Sequence, residues 1–314
     1  MLATTAPRRS AVALTAAAAA WGVATVIAKR ALVEIPPLTL LPIQLAVSVA
    51  LLTAVLLIQR QSLTWPPQLR RLGLLGVLNP GISYALGLVG LTYIAASLSV
   101  LLWATEPIMI LLLAWWILGD RITRPVGIAA LVAFAGVLLI IFEPSNGDHP
   151  LGVALTLLGV AACAVYTVIT RKWMVTESTL QVVSLQQASA LLFAVLLLGI
   201  AGLTGGHNPF PAVSAGAWIS AVTSGALYYA AGFWLYLTGL RRIPAGTAGM
   251  FINLIPVFGI AASYALLGER LSARQWLGAV LIVTTMFVVG RNQYVADRNQ
   301  SQRPADNRLE RPRR

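Results

Sequence analysis

The sequence predicts an all-α integral membrane protein of ten transmembrane helices, built as two inverted five-helix repeats. Three observations predict it. The 314 residues are 58% hydrophobic and only 10% charged, with a mean hydropathy of +0.80. A soluble domain is nearer half apolar and a quarter charged. Ten apolar runs approach or exceed the roughly 17–25 residues needed to cross hydrocarbon. The second half of the chain also repeats the first.

In order, the runs are 11–31, 38–58, 71–91, 94–118, 125–142, 151–171, 181–202, 213–238, 244–267 and 273–290. A short segment, 1–10, precedes them with Arg8 and Arg9. The first run carries Trp21, Gly22, Thr25 and Lys29; the second follows the Pro36–Pro37 turn and holds Gln44. The third contains Asn79, Pro80 and Tyr84, and the fourth Ser99, Trp103, Glu106 and Pro107. The fifth closes the first repeat, 11–142. A turn-rich linker, 143–150, leads into the second repeat, 151–290. There the sixth run holds Tyr166, the seventh Gln186, the eighth Tyr228, and the ninth Asn253 and Pro256. The tail, 291–314, is polar and arginine-rich, and its composition predicts disorder.

The repeat is visible by eye. "EPIMILLLAWWILGDRIT" at 106–123 aligns with "IPVFGIAASYALLGERLS" at 255–272, placing Pro107 on Pro256 and Asp120 on Glu269. "TVIAKR" at 25–30 aligns with "TVITRK" at 167–172, and Gln44 with Gln186. Asn79 and Tyr228 also fall at corresponding positions. Five helices is an odd number, so the second copy enters the membrane inverted, an architecture that puts a substrate site between halves near the midplane. With both termini in the cytoplasm, 18 of the 22 basic residues fall inside, leaving Lys29, Arg30, Arg270 and Arg274 outside. That bias places the chain in a cytoplasmic membrane as a multi-pass protein. Arg8 and Arg9 ahead of an apolar run also suit a cleaved leader, but the first run has a partner later in the chain, which favours a retained helix.

These features resemble the drug/metabolite transporter superfamily, EamA-type. The resemblance covers residues 10–290 and rests on Trp21, Gly22 and Lys29, on "LGDR" at 118–121 and "LGER" at 267–270, and on the five-plus-five repeat. It implies a protein that moves small metabolites, commonly outward, through a central cavity lined by both halves. One departure matters. Members often carry an arginine soon after a "PP" turn in the second helix, and here Gln44 holds that place, which argues against a strongly anionic substrate.

Glu106 is the one acidic residue deep in a run, roughly 16 Å from either end of its helix at about 1.5 Å per residue. Such a group costs about 2.5–3.5 kcal/mol on insertion scales. No cation is expected at its depth, and no His, Cys, Asp or second Glu. It serves there as hydrogen-bonding glue between helices, as a proton-coupling site, or as the acceptor of a substrate amine. Pro80, Pro107 and Pro256 each remove a helical N–H, so the third, fourth and ninth helices are expected to kink and act as hinges. Ser99, Trp103 and Glu106 are spaced to share a face. Trp21 and Trp103 lie at mid-depth, while Trp65, Trp115, Trp116, Trp173, Trp218 and Trp276 lie near helix ends as an interfacial belt. The candidate pathway residues are therefore Glu106, Trp103, Ser99, Trp21, Gln44, Asn79, Tyr84, Tyr166, Gln186, Tyr228 and Asn253. The aspartate and glutamate of the two "LG" motifs are expected to be solvated at helix ends that set loop geometry.

Several classes are disfavoured. Basic residues clustered between apolar runs follow membrane topology rather than a nucleic-acid footprint. One cysteine and two loop histidines give no metal cage, and no cofactor is expected. Acid–base chemistry lacks a second deep group, and no phosphate-binding G-x-x-x-x-G-K-[ST] loop occurs. The expected partners are a small-molecule substrate and the lipid bilayer. The function expected is secondary-active export of small metabolites such as amino acids by alternating access. A passive facilitator or channel on the same fold is the alternative, and oligomeric state is left open.

Overall fold

The computed structural model describes residues 5–60, 67–118, 124–141, 148–173, 179–203, 212–240 and 251–301. Every regular element among them is helical. Six helical stretches are long and apolar enough to cross a membrane: Ser10–Ala31, Pro37–Ile58, Leu69–Tyr93, Ala96–Ile117, Pro150–Thr170 and Leu180–Leu203. Gly127–Leu139 and Ile255–Leu267 are shorter apolar helices.

The boundaries follow local chemistry. α1, Thr5–Ala31, is alanine-rich and ends in the turn before Pro36. α2, Pro37–Ile58, starts with proline at its first position, where the missing N–H has no intrahelical use. α3, Pro67–Leu74, leads through a tight turn at Leu75–Val77 and a wide turn at Leu78–Ile82 into α4, Ser83–Tyr93. α5, Ala96–Trp103, is separated from α6, Glu106–Leu118, by a turn at Ala104 and Thr105. α7, Arg124–Ile141, α8, Pro150–Trp173, and α9, Thr179–Leu203, follow. α10, Ala215–Gly225, is capped by the Ser214 hydroxyl, which accepts from the Ala217 N–H at 3.2 Å. A second wide turn, Ala226–Ala231, joins it to α11, Gly232–Leu240. α12, Ile255–Leu267, ends on Gly268 at φ +68°, with Glu269 N–H donating to Ser263 O at 3.3 Å. That is a glycine-terminated helix end, and only Gly takes the left-handed backbone without strain. α13, Ala273–Ser301, runs past the point where a disordered tail was expected; its helix continues ten residues beyond Arg291.

Pro107 and Pro256 stand at breaks, while the expected kink forms in the third run beside Pro80. Pro107 does not interrupt a running helix; it is the second residue of a new one. The Thr105 N–H and hydroxyl both donate to Leu102 O, at 3.0 and 2.6 Å, which closes the end of α5. Likewise Pro256 sits in the first turn of α12, after a turn at Leu254 (φ −83°, ψ −11°). In the third run Asn79 leaves helical geometry (φ −145°, ψ 119°) and its bond to Pro80 is cis. The wide turn at Ala226–Ala231 contains no proline, yet it interrupts the apolar run 213–238, expected as one helix.

Helices pack as α4 on α8 and α1 on α11, α6 on α8 and α1 on α12, with α2 on α9, α5 on α12 and α7 on α13. Glycines allow the closest approaches. A Cβ on Gly76 would lie 1.9 Å from Gln186 O, and one on Gly225 would lie 2.8 Å from Gln44 Cα. The inner core joins Val26, Leu40, Leu41, Leu45, Leu91 and Tyr229. Leu131, Phe134, Leu192, Leu196 and Ile219 stay exposed. For a chain of this hydropathy their natural solvent is hydrocarbon.

Candidate functional site: a cavity at the helix breaks

The three breaks and the second wide turn contribute to one cavity of about 340 Å³. Its wall is aromatic. Trp21 comes from α1, Tyr84 from α4, Trp103 from α5, Tyr166 from α8, Tyr228 from the wide turn, and Phe233 and Tyr236 from α11. Tyr84 and Trp103 stack at 5.1 Å with planes 20° apart, and Tyr228 meets Tyr84 edge-on at 5.2 Å. Trp21 packs against Phe233 and Tyr236 at 5.5 and 5.6 Å. A wide turn leaves carbonyls without their helical donors. Here the Trp21 Nε1–H donates to Tyr228 O at 2.9 Å, tying α1 to the turn. The indole fits because residue 232 is glycine: a Cβ there would fall 2.6 Å from Nε1.

Glu106 is the first residue of α6 and lines the cavity, half-buried. The break thus puts its carboxylate at a helix N-terminus, where backbone N–H dipoles favour an anion. Cys163 Sγ donates to Glu106 Oε1 at 3.3 Å, and the Thr167 hydroxyl is close to the same carboxylate. This corrects the expectation that no cysteine shares the depth of Glu106. Asn79, buried, lines the cavity and its Oδ1 has no hydrogen-bond partner.

Of the residues singled out from sequence, Glu106, Trp103, Trp21, Asn79, Tyr84, Tyr166 and Tyr228 line this cavity, together with Pro107 and Pro256. Ser99 and Gln44 instead border a separate void of about 30 Å³, beyond the Tyr84–Trp103 layer, so the break between α5 and α6 divides the face expected for Ser99 and Glu106. Gln44 Nε2 donates to Ser224 Oγ at 2.7 Å. Gln186 accepts the Tyr166 hydroxyl at 2.7 Å and donates to Leu72 O at 3.2 Å, so it buttresses the wall from behind. Asn253 is buried outside the lining with Nδ2 unpartnered, and Pro80 is buried outside it too. Sequence reasoning missed Cys163, Thr167, Phe233 and Tyr236. The first two lie three residues before and one after Tyr166, so helical spacing from that residue was the available signal.

A second cluster of polar groups lies at the ends of α1, α4 and α5. Lys29 Nζ donates to Leu91 O at 2.6 Å and Ile94 O at 2.9 Å. Asp148 accepts the Ala95 N–H at 2.6 Å, and Glu269 accepts those of Ala96 and Ser97, each at 2.8 Å. Both carboxylates are near enough to act on the Lys29 charge. Glu269 is therefore a helix cap, not the solvated charge expected from its motif. Its repeat mate Asp120 lies outside the described residues.

Comparison with known proteins agrees with this architecture. A crystal structure superposes with a TM-score of 0.63 over 93% of this chain and 98% of that one, at 19% identity, a likeness of fold alone. An uncharacterized transporter of Archaeoglobus fulgidus is 26% identical over 87% of this chain and 95% of its own length. The Bacillus subtilis transporter YvbV is 28% identical, with 86% and 87% covered. An Escherichia coli protein named "Probable amino-acid metabolite efflux pump" is 29% identical over 62% of this chain and 67% of its own. The model of the EamA-like transporter family matches twice, over residues 8–142 and 150–291. The chain is a multi-pass membrane protein and belongs to the EamA-like transporter family.

Proposed function

We propose that the protein is a secondary-active transporter of the cytoplasmic membrane that exports small metabolites such as amino acids by alternating access. One observation carries this reading: an aromatic cavity formed where helices break, whose described lining holds a single carboxylate, at a helix N-terminus. Discontinuous helices at mid-depth are where transporters hold solutes, since free backbone groups are tolerated only against protein or water. Glu106 takes either a proton or a substrate amine, which couples the two.

Ten membrane-crossing segments in two inverted halves, with both termini cytoplasmic, complete the proposal. The packing supports it. Exchanging the halves turns the α4–α8 contact into α1–α11 and the α6–α8 contact into α1–α12. It also turns Gly76 on Gln186 into Gly225 on Gln44. With the charge bias as guide, the Lys29 cluster lies on the outer face, beyond the Tyr84–Trp103 layer. The cavity reaches the other way, past the breaks to Ile110, Ile252 and Tyr236, a shape suited to loading from the cytoplasm.

The test is uptake into proteoliposomes across amino acids and small metabolites, with and without a proton gradient. Saturable, gradient-stimulated flux is expected. Gradient-independent flux at channel-like rates would replace coupled carriage with a passive facilitator.

A further inference from the structure

Several donors of the cavity wall are spent within the protein, while its one described carboxylate keeps room to accept. Trp21 Nε1 donates to Tyr228 O, Thr25 Oγ1 to Trp21 O, the Tyr166 hydroxyl to Gln186 Oε1, and Thr167 Oγ1 to Cys163 O. Four side-chain donors of the lining are thereby committed within the protein, and the Tyr84 and Tyr228 hydroxyls bond to each other; the Tyr236 hydroxyl and the Asn79 amide N–H are the further neutral donors of the described lining. Against them stand Glu106, whose carboxylate has room for about four hydrogen bonds, and the unpartnered Oδ1 of Asn79. The thiol of Cys163 is a weak donor for Glu106, at 3.3 Å. A ligand that brings charged donors matches the carboxylate and the unpartnered amide oxygen.

Charge points the same way. Among the described lining residues there is no Lys, Arg or His. A carboxylate entering with a zwitterion would be buried beside Glu106 with no side-chain cation to offset it. The first turn of α12 reaches the cavity through Ile255 and Pro256, and the proline has no N–H to give. Aromatic rings, by contrast, attract a cation through their electron-rich faces. At about 340 Å³ the space is near the lower end of the roughly 300–1,000 Å³ typical for drug-sized ligands.

We propose that this site prefers a singly charged organic cation, an ammonium on an aromatic or apolar body, over a zwitterionic amino acid. The ammonium sits between Glu106 and Asn79 Oδ1, and the body lies among Trp21, Tyr84, Trp103 and Tyr228. This rests on the cavity being the substrate site and narrows its substrates to amines and to amino acids whose carboxyl is amidated or lost.

Binding to the full-length protein in nanodiscs, measured by calorimetry, tests it with tryptamine, tryptophanamide, tryptophan and 3-indolepropionate. Tryptamine and tryptophanamide are expected to bind at least ten-fold more tightly than tryptophan, with indolepropionate weakest. Glu106→Gln should weaken tryptamine more than ten-fold, and Asn79→Leu several-fold. Should Glu106→Gln not fold, the wild-type series and Asn79→Leu decide. Tryptophan binding as tightly as tryptamine, no tryptamine binding to folded wild type, or unchanged tryptamine affinity in folded Glu106→Gln would overturn the proposal. Proteoliposome flux separates the two readings: preferential tryptamine binding without flux sinks the transporter reading and leaves the cation site standing.

Discussion

Two regions of this molecule gather helix ends, and they treat them in opposite ways. At the turn between α4 and α5, charged side chains from three other parts of the chain meet the exposed backbone: Lys29 takes carbonyls, and Asp148 and Glu269 take N–H groups. At the breaks around Asn79 and Glu106 the polar groups face a cavity, and Asn79 Oδ1 is unmatched. Groups that are met stabilise one closed arrangement, because an unmade buried hydrogen bond costs about 1–3 kcal/mol. Groups left unmet wait for something that enters. On the proposed function, the difference separates the end that holds shut from the cavity that receives.

Removing the receiving carboxylate is expected to have the largest effect on transport. Glu106→Gln keeps the size and one acceptor but loses the charge and the titratable proton. Flux is expected to drop by at least ten-fold and to lose its pH dependence, while the variant still inserts and folds. Wild-type flux with a wild-type pH profile in proteoliposomes would reduce Glu106 to a link between α6 and α8.

Breaking the closed end comes next. Lys29→Met leaves Leu91 O and Ile94 O without their charged donor, and hydrogen bonds to charged groups are worth about 1.5–3 kcal/mol. The melting temperature in detergent should fall, and the closed arrangement should become less populated. A cysteine at Ser99, in a Cys163→Ser background, would then react faster with a membrane-impermeant thiol reagent applied outside. Unchanged labelling would mean that the cluster fastens a loop and gates nothing.

Legibility from sequence divides along similar lines. The depth of Glu106 and the breaks near Pro80, Pro107 and Pro256 were readable, because hydropathy and proline act locally. The outcome differs by position: the helix kinks beside Pro80 as expected, whereas Pro107 and Pro256 begin new helices. The wide turn at Tyr228 has no proline to announce it, yet the internal repeat already paired Tyr228 with Asn79, and both lie in wide turns. The pairing of Cys163 with Glu106 and the meeting of Lys29, Asp148 and Glu269 were not readable. Their partners are 53 to 173 residues apart, and no local period encodes them. Ser99 was assigned to the cavity on spacing that assumed an unbroken helix.

A smaller effect is expected from the aromatic layer between the two regions. Trp103→Ala removes the ring stacked on Tyr84 and joins the main cavity to the small void near Ser99. Bulkier solutes should gain relative to small ones by a few-fold, with expression near wild type. A uniform loss of expression with unchanged preference would make Trp103 a packing residue.

The smallest effect belongs to the closed end, at a carboxylate exposed to water. Glu34 accepts the Ser214 N–H and hydroxyl, each at 2.7 Å, joining the turn after α1 to the start of α10. These bonds favour the charged form and hold its carboxyl below the usual range. A carboxyl held lower in the folded state contributes stability above its unfolded value, near 4.3 for glutamate, and loses that contribution as pH falls through the folded one. Because Glu34 is solvated, screening keeps the contribution small. The melting temperature of wild type should therefore exceed that of Glu34→Gln slightly near neutral pH, with the gap closing as pH falls below the ordinary glutamate range and the carboxyl protonates in the folded state. A gap that persists below that range would assign the difference to the geometry of the turn, since the charged hydrogen bonds are gone there.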